Sequence, residues 1–228
     1  MGTYKIISIG GSIIIPPSGF DTDFLKKFRD LIAGLVKKGD KFILVIGGGA
    51  TCRAYQHAAK QVVQMANDEL DWLGIKTTIF NAEFVRVLFK DLAYKEIITN
   101  PTKKIKTNKS VIIAAGWKPG CSTDYDAVLL AQTYGAREVI NASNISYIYT
   151  ADPKQDPQAQ PLPELTWKEM KNIIGDKWTP GANFPFDPKA VKKAAALGLV
   201  VKFVKGTELK EFEKSLKGLA YQGSVICK

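Results

Sequence analysis

The feature that most constrains this chain is a strand-like run ending in glycines, met twice before residue 50. Residues 4–9 (YKIISI) end at Gly10-Gly11, and residues 41–46 (KFILVI) end at Gly47-Gly48-Gly49. Between them Asp21 is placed to cap a helix. Phe24, Leu25, Phe28, Leu31, Ile32 and Leu35 recur at helical spacing, and Gly39 closes the segment. Two strands joined through a helix need a crossover, so they lie parallel in one sheet. The second run is apolar throughout, as a strand buried on both faces would be.

The rest of the chain repeats this alternation. Helices are expected at 53–65, at 71–92 after a break around Gly74, and at 124–134, 167–174, 188–197 and 208–216. Strands are expected at 96–99, 110–115 (SVIIAA), 138–141 and 199–204 (LVVKFV), with residues 221–227 as a final edge strand. The four-proline stretch 153–163 reads as a surface loop, because alternation resumes after it. The prediction is α/β: a three-layer α/β/α sandwich with a mostly parallel central sheet, in a single domain spanning 1–228. With 228 residues such a domain can bury a substantial core.

Other classes are disfavoured. No apolar run approaches the roughly 18–20 residues that span a bilayer. The segment after Met1 lacks the apolar core and cleavage site of a signal peptide, so a cytoplasmic address is expected. Cys52, Cys121 and Cys227 contain no C-x-x-C, and the single histidine, His57, has no partner for a metal cluster, so no structural metal is expected. His57 reads as a surface or core residue of a helix. The net charge of +10 would suit polyanions. Its densest cluster, Lys103, Lys104, Lys106 and Lys109, has no interleaved aromatics and reads as a solvated loop, which argues against nucleic acid.

Glycines after core strands let backbone N–H groups approach a phosphate, and a following helix offers its positive end. Arg53, four residues beyond Gly49, carries a fork suited to a phosphate dianion; a tight turn with a surface arginine explains the same residues. Neither a Walker loop nor a dinucleotide G-x-G-x-x-G fingerprint is present. A third loop, residues 116–124 (GWKPGCSTD), follows a strand and opens a helix. Ser122 or Thr123 can cap that helix with Asp124 in its first turn, or these groups can bind phosphate and orient the transferring group. A fourth, residues 149–153 (YTADP), is a turn set by Asp-Pro. Asp187-Pro188 starts a helix, and Lys192 one turn in is either solvated or a cation facing phosphates.

The ordered set G-G-S, G-G-G with Arg53, D-x-x-G-I with N-A, P-G-x-S-T-D, Y-T-A-D-P and D-P-x-A-x-K resembles the amino-acid kinase superfamily. Within it the chain is similar to the uridylate (UMP) kinases, more to the archaeal-type form. The resemblance implies an ATP-dependent nucleoside monophosphate kinase of pyrimidine biosynthesis, using Mg²⁺ with ATP and no metal site of the protein's own. It implies an acceptor-binding half of about 1–109 and an ATP-binding half of about 110–228. By position it implies UMP contacts at Gly47, Gly48, Gly49, Arg53, Asp71, Gly120, Cys121, Ser122 and Thr123. ATP contacts fall at Gly10, Gly11, Ser12, Ser143, Asn144, Tyr149 and Asp152, and catalytic roles at Asp124 and Lys192.

Two positions depart from the pattern. The lysine that bacterial members carry before the first glycine turn is replaced by Ser8, as it is missing from archaeal-type members, so charge must come from Lys5 or Lys192. Ser146-Tyr147 replaces the Asp-Gly of the usual ATP loop. The resemblance further implies a homohexamer built from dimers, to which Phe84, Val85, Leu88 and Phe89 could contribute an interface or the core. Another small-molecule kinase of the superfamily, or a catalytically weak nucleotide sensor, remains an open alternative at this level.

Overall fold

The computed structural model describes residues 3–153, 155–175 and 185–227. Its centre is a seven-stranded sheet in the order β3-β2-β1-β4-β8-β9-β7. The strands are β1 (Lys5–Ile9), β2 (Phe42–Ile46), β3 (Val111–Ala114), β4 (Glu138–Ser143), β7 (Glu164–Leu165), β8 (Val200–Lys205) and β9 (Gly223–Ile226). All pairings are parallel except β8 with β9. A short antiparallel pair, β5 (Ile148–Tyr149) with β6 (Pro161–Leu162), stands apart from the sheet.

Period-two alternation divides the strands between two cores. Ile6, Ile43, Val45, Ile112 and Val139 pack on one side with α5 (Thr123–Tyr134), α6 (Trp167–Ile174) and α7 (Pro188–Ala196). Ile7, Ile9, Leu44, Ile46, Ile113 and Ile140 pack on the other. There they meet α1 (Gly11–Ile14), α2 (Thr22–Lys37), α4 (Asn67–Leu88) and α8 (Leu209–Leu216). The result is three layers, α/β/α. Asp21 caps α2 through Phe24 N–H at 2.9 Å, as its sequence position requires.

Three sequence expectations need correction. Residues 96–99 form no strand; Ala93 and Ile98 make single bridges to Val111 and Ala114. Helix α4 runs unbroken through Gly74. A Cβ there would lie 3.1 Å from Gln56 Nε2 and 3.3 Å from Cys52 Sγ, so this glycine admits α3 (Gly49–Val62) rather than ending a helix. The last strand is not an edge, since β9 lies between β8 and β7. Val85 and Phe89 are core residues, whereas Phe80 and Val87 are the exposed large apolar groups late in α4.

Candidate functional site

Strand order reverses between β1 and β4: from β1 the sheet grows through β2 to β3, and from β4 through β8. A crevice opens outside the carboxyl ends of parallel strands at such a point, and ligands gather there. Gly10-Gly11 follows β1, Gly47–Gly49 follows β2, Gly116 follows β3, and Ser143-Asn144 ends β4.

The first two turns touch backbone to backbone. A Cβ on Gly11 would lie 2.1 Å from Gly49 N and 2.6 Å from the Gly47 carbonyl. One on Gly49 would lie 2.6 Å from Gly11 C and O, with Gly49 itself at φ +65°. Glycine is therefore required by mutual packing. Asn81, fully buried in α4, clamps the second turn: its Nδ2 donates to Gly47 O at 3.0 Å and to Gly48 O at 2.9 Å. Gly47 N–H donates to Ile9 O at 3.0 Å, tying the turn to β1.

A cavity of about 630 Å³ opens beside these turns. Gly48 lines it from the turn before α3, Gly49 and Arg53 from α3, Asp71 from α4, Cys121 and Ser122 from the loop before α5, and Thr123 from the start of α5. Ile75 and Pro17 add apolar wall, and Gln56, Thr78 and Gly116 also line it. Asp71 Oδ2 accepts from Gly120 N–H at 2.8 Å, and Lys189 Nζ donates to Gly120 O at 2.6 Å, so the 116–122 loop is held from both sides. Gly120 sits at φ +74°, which suits glycine. Ser122 caps α5 through Tyr125 N–H at 3.1 Å. Burial pushes the Cys52 and Cys121 thiols up, so both remain protonated near neutrality.

A second cavity, about 290 Å³, is lined by Ser143, Asn144, Tyr149, Asp152 and the α6 residues Ile173 and Ile174. Asn144 lines both cavities. Tyr147, one of the two departures in this loop, stands edge-on to Tyr149 with ring centroids 6.5 Å apart. Ser12 lines the first cavity and also a groove between the start of α2 and α8.

Asp124 lies in the first turn of α5, near the switch point. Ser8 Oγ donates to its Oδ1 at 2.8 Å and Asn141 Nδ2 donates to the same atom at 2.9 Å. Ser8 and Asn141 are direct register partners on β1 and β4, so both side chains leave the same face of the sheet. Sequence reasoning met Ser8 only as a departure and missed Asn141, although alternation with Ile6 and Val139 marks two buried polar positions in these strands. Burial chiefly pushes the Asp124 carboxyl up to about 6, with Asp187 adding repulsion. Hydrogen bonds from Ser8, from the Asp187 backbone and from Asn141 oppose that rise.

The two lysines named as sources of charge lie in different places. Lys5 pairs with Asp40 at 3.0 Å and donates to Leu216 O at 2.9 Å. It sits at the start of β1, five residues or about 16 Å of strand before Gly10. Lys5 therefore supplies no charge there. Lys192 is exposed on α7, outside the cavity linings, while Lys189 on the same helix reaches the Gly120 loop. His57 is exposed, with Nε2 at 3.0 Å from Gln61 Nε2. Residues 103–109 form an irregular loop, with Lys104 over the Tyr134 ring.

A model described as the amino acid kinase family matches residues 3–203. The chain belongs to the amino acid kinase family. Among its relatives, a uridylate kinase of Pyrococcus abyssi is 31% identical over 189 residues, covering 81% of this chain and 82% of the relative. One from Methanocorpusculum labreanum is 29% identical over 228 residues, covering 98% and 95%. The crystal structure of a uridylate kinase from Archaeoglobus fulgidus superposes with a TM-score of 0.81 at 26% identity, covering 97% of this chain and all of that one. The amino acid kinase sheet and its crossovers are thus shared over nearly the whole chain.

Proposed function

We propose that this protein is a uridylate kinase that transfers the γ-phosphoryl group of ATP to UMP, giving ADP and UDP, in pyrimidine nucleotide biosynthesis. The observation that carries the reading is the meeting of two cavities at the β1/β4 switch point, with Asn144 in both walls and Asp124 nearby. Relatives named uridylate kinase supply the substrate class.

In this reading UMP occupies the larger cavity. Its phosphate meets the Gly47–Gly49 backbone and the start of α3, with the Arg53 fork across it. Asp71 and the Gly120–Thr123 loop enclose the nucleoside. ATP occupies the Ser143–Asp152 cavity with its phosphates toward Gly10, Gly11 and Ser12. An oxygen of the UMP phosphate attacks the γ-phosphorus in line, the bond to the β–γ bridging oxygen breaks, and ADP leaves. Such transfer depends on alignment and charge neutralisation rather than covalent catalysis. Asp124 is oriented by Ser8 and Asn141 at the centre, and Lys192 supplies positive charge from α7.

The described residues contain no group of three or more His, Cys, Asp or Glu that could hold a metal. In this reading Mg²⁺ would be carried on the ATP phosphates, where it would neutralise charge. We further propose a cytoplasmic homo-oligomer, a hexamer built from dimers, supported by exposed Tyr55, Val62, Trp72, Phe80 and Val87 on α3 and α4. The domain would act as an acceptor half of about 1–109 and a donor half of about 110–228.

Steady-state turnover with UMP, CMP and AMP as acceptors tests the reading. UMP should be used with the highest kcat/KM. No turnover of UMP with any nucleoside triphosphate would sink it.

A further inference from the structure

Two buried carboxyl groups are not used by the site as described. Asp126 lies in α5, two residues past Asp124, and is 0% exposed; Asp187 caps α7 and is 5% exposed. Asp126 Oδ2 accepts from Trp117 N–H at 3.1 Å, and its Oδ1 is buried with no hydrogen-bond partner among the described residues. Asp187 Oδ1 accepts from Lys189 N–H at 2.5 Å and Ala190 N–H at 3.1 Å, and its Oδ2 is likewise buried without a partner. The two helices pack against each other, and the carboxyls interact electrostatically.

Two ionised carboxylates here would repel one another in a medium that solvates neither, each with an oxygen left bare. One proton, taken from solvent, would remove the repulsion and, shared between the two bare oxygens, would satisfy both. Its place follows from the existing bonds. Asp187 Oδ1 already accepts two N–H groups at the start of α7, whereas Asp126 accepts only one. We propose that Asp126 is a positioning residue: its protonated Oδ1 donates to Asp187 Oδ2, latching the start of α5 to the start of α7. Asp124 rides on the first of these elements and Lys189 and Lys192 on the second.

The groups around the latch are few. On α5 they are Asp124 and Tyr125, and on the preceding loop Lys118 and Cys121. α7 presents Asp187 and Lys189, while Ser8 of β1 and Asn141 of β4 are spent on Asp124. Burial first, then Asp187 and Asp124, push the Asp126 carboxyl up to about 8, against the Trp117 N–H and Lys118. Because the folded value lies above the ordinary 3.8, the neutral form is the stabilising one. Its contribution is complete below about pH 4 and is lost as pH rises through about 8.

The test combines infrared spectroscopy with thermal unfolding of the full chain. The unmodified protein should show a protonated-carboxyl band at about pH 7 that fades through about pH 8, and a Tm that falls by several degrees as pH rises from about 6 and levels off above about 8. Asp126→Asn, whose amide can donate to Asp187 and accept from Trp117, should lose the band and flatten this fall in Tm while keeping the neutral-pH Tm. Asp126→Ala should lower Tm by several degrees at every pH. Absence of the band at neutral pH in the unmodified protein would overturn the latch, whether or not the variants fold. So would an unchanged fall of Tm with pH in Asp126→Asn.

The kinetic consequence rests on the phosphoryl-transfer reading: an alkaline limb of kcat near pH 8 that Asp126→Asn removes, with KM unchanged. An inactive protein that still shows the band and the Tm profile would refute the function and leave the latch standing. An active one lacking both would do the reverse.

Discussion

Replacing Gly11 by alanine tests the contact between the two glycine turns. Gly11 opens α1 and has no left-handed backbone, so alanine meets no conformational obstacle. Considered alone, the change should stabilise by about 0.4–1 kcal/mol through the unfolded chain. The added methyl, however, would lie 2.1 Å from Gly49 N and 2.6 Å from Gly47 C and O, where non-bonded carbon needs about 3.5 Å. The opposing turn must retreat by more than an ångström. It is held by Asn81 from one side and by Ile9 O from the other. Overpacking of this kind costs about 1–3 kcal/mol, for a net loss near 1–2 kcal/mol. In a domain of this size that lowers Tm by roughly 2–8 °C. Gly34 provides the control: it lies inside α2, and a methyl added there would meet nothing within 4 Å, so Gly34→Ala should raise Tm by roughly 1–4 °C. Differential scanning calorimetry of the two variants reads both shifts. A Gly11→Ala protein as stable as the parent, with UMP affinity retained, would refute the backbone-to-backbone account.

Asn81→Leu leaves the Gly47 and Gly48 carbonyls without their clamp and should cost about 2–4 kcal/mol in chemical denaturation, with weaker UMP binding. Arg53→Ala, at an exposed position, should leave Tm in place yet raise the KM for UMP by roughly 10-fold or more, the worth of a charge-assisted hydrogen bond. If Asp124 acts as a carboxylate, kcat should fall as pH drops through about 6. The UMP phosphate titrates in the same region, so kcat of the ternary complex must be compared with that of Asp124→Asn, which should be low and lack the Asp124 limb. The same carboxyl contributes stability in the opposite sense: its neutral form is favoured, complete below about 3.8 and lost through about 6.

Much of the fold was legible because apolar periodicity and turn chemistry agree. The β1 and β2 runs end at glycines, Asp21 caps α2, and Ser122 and Asp187 cap α5 and α7. Where reading failed, tertiary contacts had overridden local signals. Gly74 looks like a helix breaker but is the gap through which α3 packs on α4. Residues 96–99 look like a strand but make only one of the isolated bridges. Strand β9 has no local mark of being interior; only its neighbours β8 and β7 make it so. At the site, the glycines and Arg53 announce themselves, whereas Ser8 stands out only as a departure, Asn81 only as a motif residue without a role, and Asn141 not at all. Their roles arise from register and from a helix crossing, which spacing along one segment cannot encode. Lys189 illustrates the same limit, since a three-residue difference along α7 separates the lysine that reaches the Gly120 loop from the one the motif favours.

The central claim is that a phosphoryl group passes directly between nucleotides held at the β1/β4 switch point. A single-turnover experiment with ATP labelled in its terminal phosphate, Mg²⁺ and excess UMP measures this most directly. The account predicts that label leaves ATP and appears in UDP at equal rates, with none on the protein and little as free phosphate. Label retained in ATP, or released only as inorganic phosphate, would contradict it.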